Sequence, residues 1–297
     1  MKFFRVYVVT TTIPGRQASK ALCKRQQASV HPIDMRNTPS LVGLCVSLIV
    51  LAIVFGAMER FAPAVASVSI FRKKRGIDLF YWFFTPVVTR TISAAAVGLT
   101  ALAIARISAR LPMKALVARQ PWIVQLAELL ILTDLVGYWT HRAFHHEPLW
   151  PVHAVHHSST DLDWLAAARV HPLNEILSRA VQVIPFMLLG FKVQIVAGIV
   201  PLLTLYAIFL HANVTWDFGS LRCVIASPAF HRWHHTSEGE GLDRNFAGLF
   251  PWLDLLFGTL YLPSGKIPTK FGVSGSSVPT TFIGQMLYPL KRRRSAD

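Results

Sequence analysis

Apolar and polar positions fall in blocks along this chain rather than alternating residue by residue. Residues 37–58 carry no charged side chain, and as a helix they are long enough to cross about 30 Å of hydrocarbon. A connection with Arg60 and the run Arg72, Lys73, Lys74, Arg75 follows. A second apolar region covers Leu79 to Ala105, interrupted by Pro86 and Arg90. Its aromatic start, LFYWFF, reads as an interfacial segment and its remainder as a second span. A third helix is predicted from Trp122 to Thr140, delivering His141 to the membrane surface. From Ile176 to Leu210 the chain is again nearly uncharged, broken at Gly190 and Lys192. That stretch is too long for one crossing and suits a hairpin of two. Beyond His211 the apolar patches are short, which predicts helices lying on the membrane. The expected fold class is all-α: an integral membrane helical bundle of about four to five transmembrane helices with a cytoplasmic histidine-rich helical cap.

Composition agrees with that pattern. Hydrophobic residues make up 53% of the 297 and charged residues 15%, with a net charge of +15, a balance foreign to soluble globules. The cations flank apolar runs and end the chain at Lys291, Arg292, Arg293 and Arg294. Anionic lipid headgroups therefore fit as their partner, and nucleic acid does not. Cys23, Cys45 and Cys223 form no CxxC pair, which argues against a disulfide framework and against thiolate metal ligation. If the 72–75 block is cytoplasmic, the N-terminus lies outside, where the seven Lys and Arg of residues 1–36 would be badly placed. A translation start at Met35 would remove most of them. The domain division expected is a basic tail over 1–36, a transmembrane region over 37–120, a catalytic domain over 121–263 and a basic tail over 264–297.

Histidine carries the candidate chemistry. Twelve are present, and all but His31 lie between His141 and His235. On helices, His141 with His145, His153 with His156 and His157, and His231 with His234 and His235 each share a face; His171 and His211 stand singly. A lone buried histidine is ordinarily a core residue with a satisfied hydrogen bond. Clusters of them, packed without metal, would have to stay neutral and desolvated at considerable cost. Ten such donors match two metal ions rather than one zinc. An open, imidazole-rich dinuclear site suits iron that activates O2. The HEPLW at His146 lacks the second histidine of a zinc protease motif. Two acids, Glu128 and Asp134, lie inside the third span; Asp134 is read either as support for a ligand or Arg142, or as a structural hydrogen-bonding group.

The segments HRAFHHEPLWPVHAVHHSS, RVHP, FLHANVTW, SPAFHRWHHT and RNFAGLFPWLDLLFGTLYLP resemble the fatty acid hydroxylase superfamily, also called the sterol desaturase family, over about residues 125–263. The resemblance implies a membrane-bound non-haem di-iron oxidoreductase with two Fe as cofactor, hydroxylating or desaturating a lipid with O2. Electrons would come from a separate partner such as a cytochrome b5-type protein, a ferredoxin or a flavin reductase. Carried over by position, His141, His145, His153, His156, His157, His231, His234 and His235 match the family's iron-ligand boxes; His211 and His171 match two further motif positions. Asp134, Arg142, His146, Asn245 and Asp254 are expected around the ligands, where Asn245, Trp252 and Asp254 could equally shape a turn over the site. Localisation follows as a multi-pass membrane protein with its site on the cytoplasmic face, in a bacterial inner membrane or an endoplasmic reticulum. The rival readings are a zinc-dependent membrane hydrolase and a non-catalytic metal- or lipid-binding membrane protein. Sequence leaves open which lipid is bound and whether hydroxylation or desaturation results.

Overall fold

The computed structural model describes residues 40–291 except 69–71, 73, 109, 112 and 276. His31, the start proposed at Met35 and Arg292–Arg294 lie outside the described residues. Those residues form helices and loops, with two isolated bridges, Pro63 with Val214 and Thr236 with Phe271. Helix α1 (Leu41–Phe61) begins where the Ser40 hydroxyl accepts the Gly43 N–H at 3.0 Å. Its exposed side chains include Val42, Ile49 and Ile53, an apolar surface suited to lipid rather than water.

The second region departs from expectation. Helix α2 (Arg75–Phe84) runs through a π-helical turn at Thr85–Thr89 into α3 (Arg90–Ser108). The aromatic segment is therefore part of a continuous 31-residue apolar helix, Arg75–Ala105. Pro86 is absorbed by the π turn, whose wider ring of hydrogen bonds accommodates a missing N–H. Short α4 (Met113–Arg119) leads to α5 (Trp122–Phe144), which extends past Thr140 and carries His141 in its last turn. Among the described residues, three helices are thus long and apolar enough to cross a membrane: α1, Arg75–Ala105 and α5.

The predicted hairpin is present as α7 (Pro172–Leu189) and α8 (Val193–Leu210), turning at Gly190 with φ 81°, a left-handed conformation that glycine adopts without strain. Their main partners differ: α7 packs against α3 and α5, and α8 against the Trp164–Ala168 turn, α9 (Pro228–His234) and α5. Between α5 and α7 comes α6 (Trp150–His157); after α9 come α10 (Trp252–Leu256) and α11 (Phe282–Lys291). One core cluster joins Phe55 of α1 to Trp164, Leu165, Ala212 and Val214. Another joins Tyr138, Leu210, Phe230 and Phe246. Both clusters include segments that flank the histidines, so core packing sets where those side chains point.

Candidate metal centre

Nine imidazoles converge in two groups, each with its donor atoms within 4.8 Å of one another. His141, His145, His153, His157 and His234 form the first group; His156, His211, His231 and His235 form the second. The 100° rotation per helical residue explains the partition. On α6, His153 and His157 are four apart and face the first group, whereas His156 faces the second. At the end of α9 the pattern reverses: His231 and His235 serve the second group and His234 the first. The groups abut, with the His157 and His235 rings stacked at 4.3 Å.

Six of the nine rings are turned by a partner on Nδ1. Nδ1 of His141 lies 2.9 Å from the Phe246 carbonyl, Nδ1 of His156 3.0 Å from that of Arg169, and Nδ1 of His234 2.9 Å from that of Arg244. Nδ1 of His211 faces the Ala207 carbonyl at 2.7 Å. His145 and His153 point Nδ1 at Asp243 and Asn174 oxygens, both at 2.8 Å. A carbonyl or carboxylate only accepts, so each of these Nδ1 atoms carries the proton and each Nε2 is left a bare lone pair. The bare atoms then face one another: His141 and His153 at 3.0 Å, and His156 and His211 at 3.2 Å. The Nε2 atoms of His145 and His234 are buried without any partner. Lone pairs opposed at such distances repel, and a cation between them converts the repulsion into coordination. The donor set therefore fits metal ions. Burial pushes His145, His153, His156, His157, His231, His234 and His235 below their ordinary pKa and His211 down to about 4. The rings are accordingly neutral, the form that ligates.

His171 is not brought to either group. Its Nδ1 accepts the Leu173 N–H at 3.2 Å, capping α7 ahead of Pro172, and its Nε2 lies 3.3 Å from the Met286 carbonyl. The single position suited both roles in sequence, and the helix start claimed it. His146 is exposed. Arg142 donates to the Tyr138 hydroxyl at 3.1 Å and lies over Trp139. Asp134 accepts the backbone N–H groups of Gly248, Leu249 and Phe250 at 2.7, 3.0 and 2.7 Å. Asp254 accepts those of Phe246 and Ala247, while Asn245, with φ 60°, bonds the Phe230 and Tyr261 backbones. These three build the 245–250 loop that presents the Phe246 carbonyl to His141; they touch no clustered ring.

Sequence reasoning missed the side chains that do. Asp243 and Asn174 hold His145 and His153, and nothing in their local spacing distinguishes them. Behind the second group, Arg72 bonds Asp163 at 2.6 and 2.8 Å and Asp78 at 2.5 Å, and Arg169 bonds Asp78 at 2.6 Å. That buried network fixes the backbone whose Arg169 carbonyl orients His156. Asp163 also starts the 3₁₀ turn Trp164–Ala168 by accepting two N–H groups. A cleft of about 210 Å³ between α5 and α7 reaches the rings, lined in part by His141, His153 and His156. It thus meets both groups.

A model of the fatty acid hydroxylase family matches residues 126–259. The chain is 30% identical over 175 residues to an ornithine lipid hydroxylase of Rhizobium tropici, covering 58% of this chain and 52% of that protein. It is 32% identical over 136 residues to an alkylglycerol monooxygenase of Danio rerio, covering 45% and 30%. It is 27% identical over 144 residues to methylsterol monooxygenase 1 of Gallus gallus, covering 46% and 47%. The chain thus spans about half the length of the first of these relatives and less of the others. No solved structure matches it.

Proposed function

We propose, on the premise that residues 126–259 belong to the fatty acid hydroxylase family, that this chain is a membrane-bound di-iron oxidoreductase acting on a lipid. The observation that carries the reading is the set of bare Nε2 lone pairs facing one another in two abutting groups. One iron would be held by His141, His145, His153, His157 and His234, the other by His156, His211, His231 and His235; His171 serves as a helix cap. Two irons so held would supply activation of O2, one oxygen atom entering a C–H bond and the other leaving as water with two electrons and two protons from outside.

The protein's own part is positioning. Nδ1–H donation to fixed carbonyls sets ring rotation and tautomer before metal arrives, a pre-organisation that tightens binding. The cleft between α5 and α7 admits a substrate carbon beside rings of both groups. Relatives named for ornithine lipid, alkylglycerol and methylsterol support an amphiphilic lipid as substrate and hydroxylation as the reaction. Desaturation would need a second hydrogen removed from the neighbouring carbon. Electrons would come from a separate protein of the cytochrome b5, ferredoxin or flavin reductase type.

In the bilayer, α7 and α8 would add to the three longer spans, giving about four to five crossings. The cations Arg60, Arg72, Lys74 and Arg75 support a cytoplasmic histidine cap under the positive-inside rule. We assign residues 37–120 to the N-terminal membrane region, 121–263 to the catalytic domain and 264–297 to the tail.

Elemental mass spectrometry of anaerobically purified protein tests this directly. About two irons per chain are expected; one zinc, or a folded protein that takes up no metal, overturns the reading. His234→Ala and His156→Ala remove one donor from each group and should each abolish lipid oxidation, while a variant still oxidising lipid would contradict the assignment.

A further inference from the structure

One wall of the cleft that reaches the rings is polar where a hydrocarbon chain would need it apolar, although Phe144 and Val170 also line the cleft. Its α7 wall is Asn174, Glu175, Ser178 and Gln182, and its α5 wall is Gly137 and Thr140. On α7 the polar positions occupy the first turns, next to the histidines, while Val183–Leu189 at the far end is uniformly apolar. An apolar tail would leave these groups without partners, whereas a polar head would pair with them. Arg179 donates to one Glu175 oxygen at 2.8 Å and to the Gln182 side-chain amide oxygen at 3.5 Å. That leaves the other Glu175 oxygen, the Ser178 hydroxyl and the Gln182 amide N–H free toward the cleft, with no protein hydrogen bond among the described residues.

We infer that the α7 wall is the head-group subsite of the substrate, which is an amphiphile carrying a hydroxyl or amino head, oxidised within a few carbons of that head. This deepens the di-iron reading and rests on it. A hydrogen-bond donor is required by the Glu175 carboxylate, which accepts only, and Ser178 both accepts and donates. The head therefore lies beside His141, His153 and His156, and the chain runs along the apolar half of α7. The carbon that meets the rings is close to the head rather than in mid-chain, and the reaction there is the one already balanced above: C–H to C–OH with O2, two electrons and two protons.

The test uses the iron-loaded full chain in detergent. Native mass spectrometry reads the binding of hexadecanol, hexadecylamine and methyl hexadecanoate, the last an acceptor-only head on the same chain. Donor-headed probes should bind about 10-fold tighter than the ester, the equivalent of one hydrogen bond to a charged or buried group. In the Glu175→Ala/Ser178→Ala double variant, which removes the two acceptors and leaves the Gln182 N–H for the ester, that preference should fall to about 3-fold or less. Amine above hydroxyl assigns the preference to Glu175, and hydroxyl above amine to Ser178 and Gln182; either supports the subsite. Equal binding of all three probes, or a preference untouched by the double variant, overturns it. Gly137→Leu locates the cleft independently. A Cβ at Gly137 would sit 3.9 Å from Gln182 Nε2, so the helix accepts a side chain while its branches fill the cavity. Loss of all three probes is expected with iron retained; undiminished binding places the site elsewhere and overturns the inference. Failure of these binding tests with iron present sinks the subsite alone, whereas absence of iron sinks the underlying reading.

Discussion

Asp243 offers the sharpest perturbation because it acts on one of the two groups alone. Its Oδ1 lies 2.8 Å from His145 Nδ1, and its side chain is 66% exposed while that of His145 is 3% exposed. Asp243→Asn keeps an acceptor oxygen and suits the left-handed backbone at φ 54°, which asparagine tolerates, so the fold should be undisturbed. What disappears is the negative charge that makes the imidazole a stronger donor to metal. Outer partners of this kind contribute about 10- to 100-fold in metal affinity. Water around the carboxylate screens it, so the lower bound applies: about 10-fold, or ~1.4 kcal/mol. The effect should fall on the five-histidine group and spare the four-histidine group, whose His156 and His211 rings are oriented by the Arg169 and Ala207 carbonyls. Anaerobic chelator titration with isotopically enriched iron, read by Mössbauer spectroscopy, separates the two ions. One iron released at about 10-fold lower chelator concentration is the expected outcome. Parallel loss of both irons, or loss of neither, would refute the reasoning.

Other expectations follow from the same geometry. Replacing Asp134 with Ala strands three backbone N–H groups of residues 248–250 and should cost roughly 3 kcal/mol or more, seen as earlier thermal unfolding in detergent; an unchanged transition would show that the loop is held by something else. His171→Ala should keep its full iron complement and lose only a cap worth about 1 kcal/mol, in contrast to His156→Ala; iron loss in the former would make His171 a ligand after all. Because burial holds the clustered imidazoles below their ordinary 6.5, the unfolded chain takes up protons that the folded chain refuses as pH falls through that value. Metal-free protein should therefore be most stable above about pH 6.5 and lose on the order of 1 kcal/mol per buried imidazole by about pH 5.5; a flat stability profile across that window would mean the rings are already protonated or solvated.

Much of the architecture is legible in the chain itself because hydrocarbon is a strict solvent. Uninterrupted apolar length marks α1, a largely apolar run holding two acids marks α5, and the break at Gly190 marks the turn between α7 and α8. The boundary at Pro86 misleads, since a π turn absorbs the proline that would otherwise end a helix. For the site, helical spacing and the motif resemblance together single out the histidines of the boxes, but the expectation that each box shares one face fails: residues four apart serve one group and those three apart serve different ones.

Tertiary structure decided the rest. That His156 and His157, adjacent in sequence, serve different groups, as do His234 and His235, depends on how α6 and α9 are rotated against each other. Packing of Phe230 against Tyr138 and Phe246 fixes α9, and packing of Ala154 and Val155 with Tyr81 and Tyr288 fixes α6. The tautomer of each ring depends on carbonyls as distant as Phe246, 105 residues from His141. A backbone carbonyl has no side-chain identity, so no residue pattern announces it. His171, expected among the ligands, is instead an N-cap whose second nitrogen lies 3.3 Å from the Met286 carbonyl. Residue types and spacing thus determined which groups are available for chemistry. Their division between two centres came only with the packing that brings distant backbone against each ring.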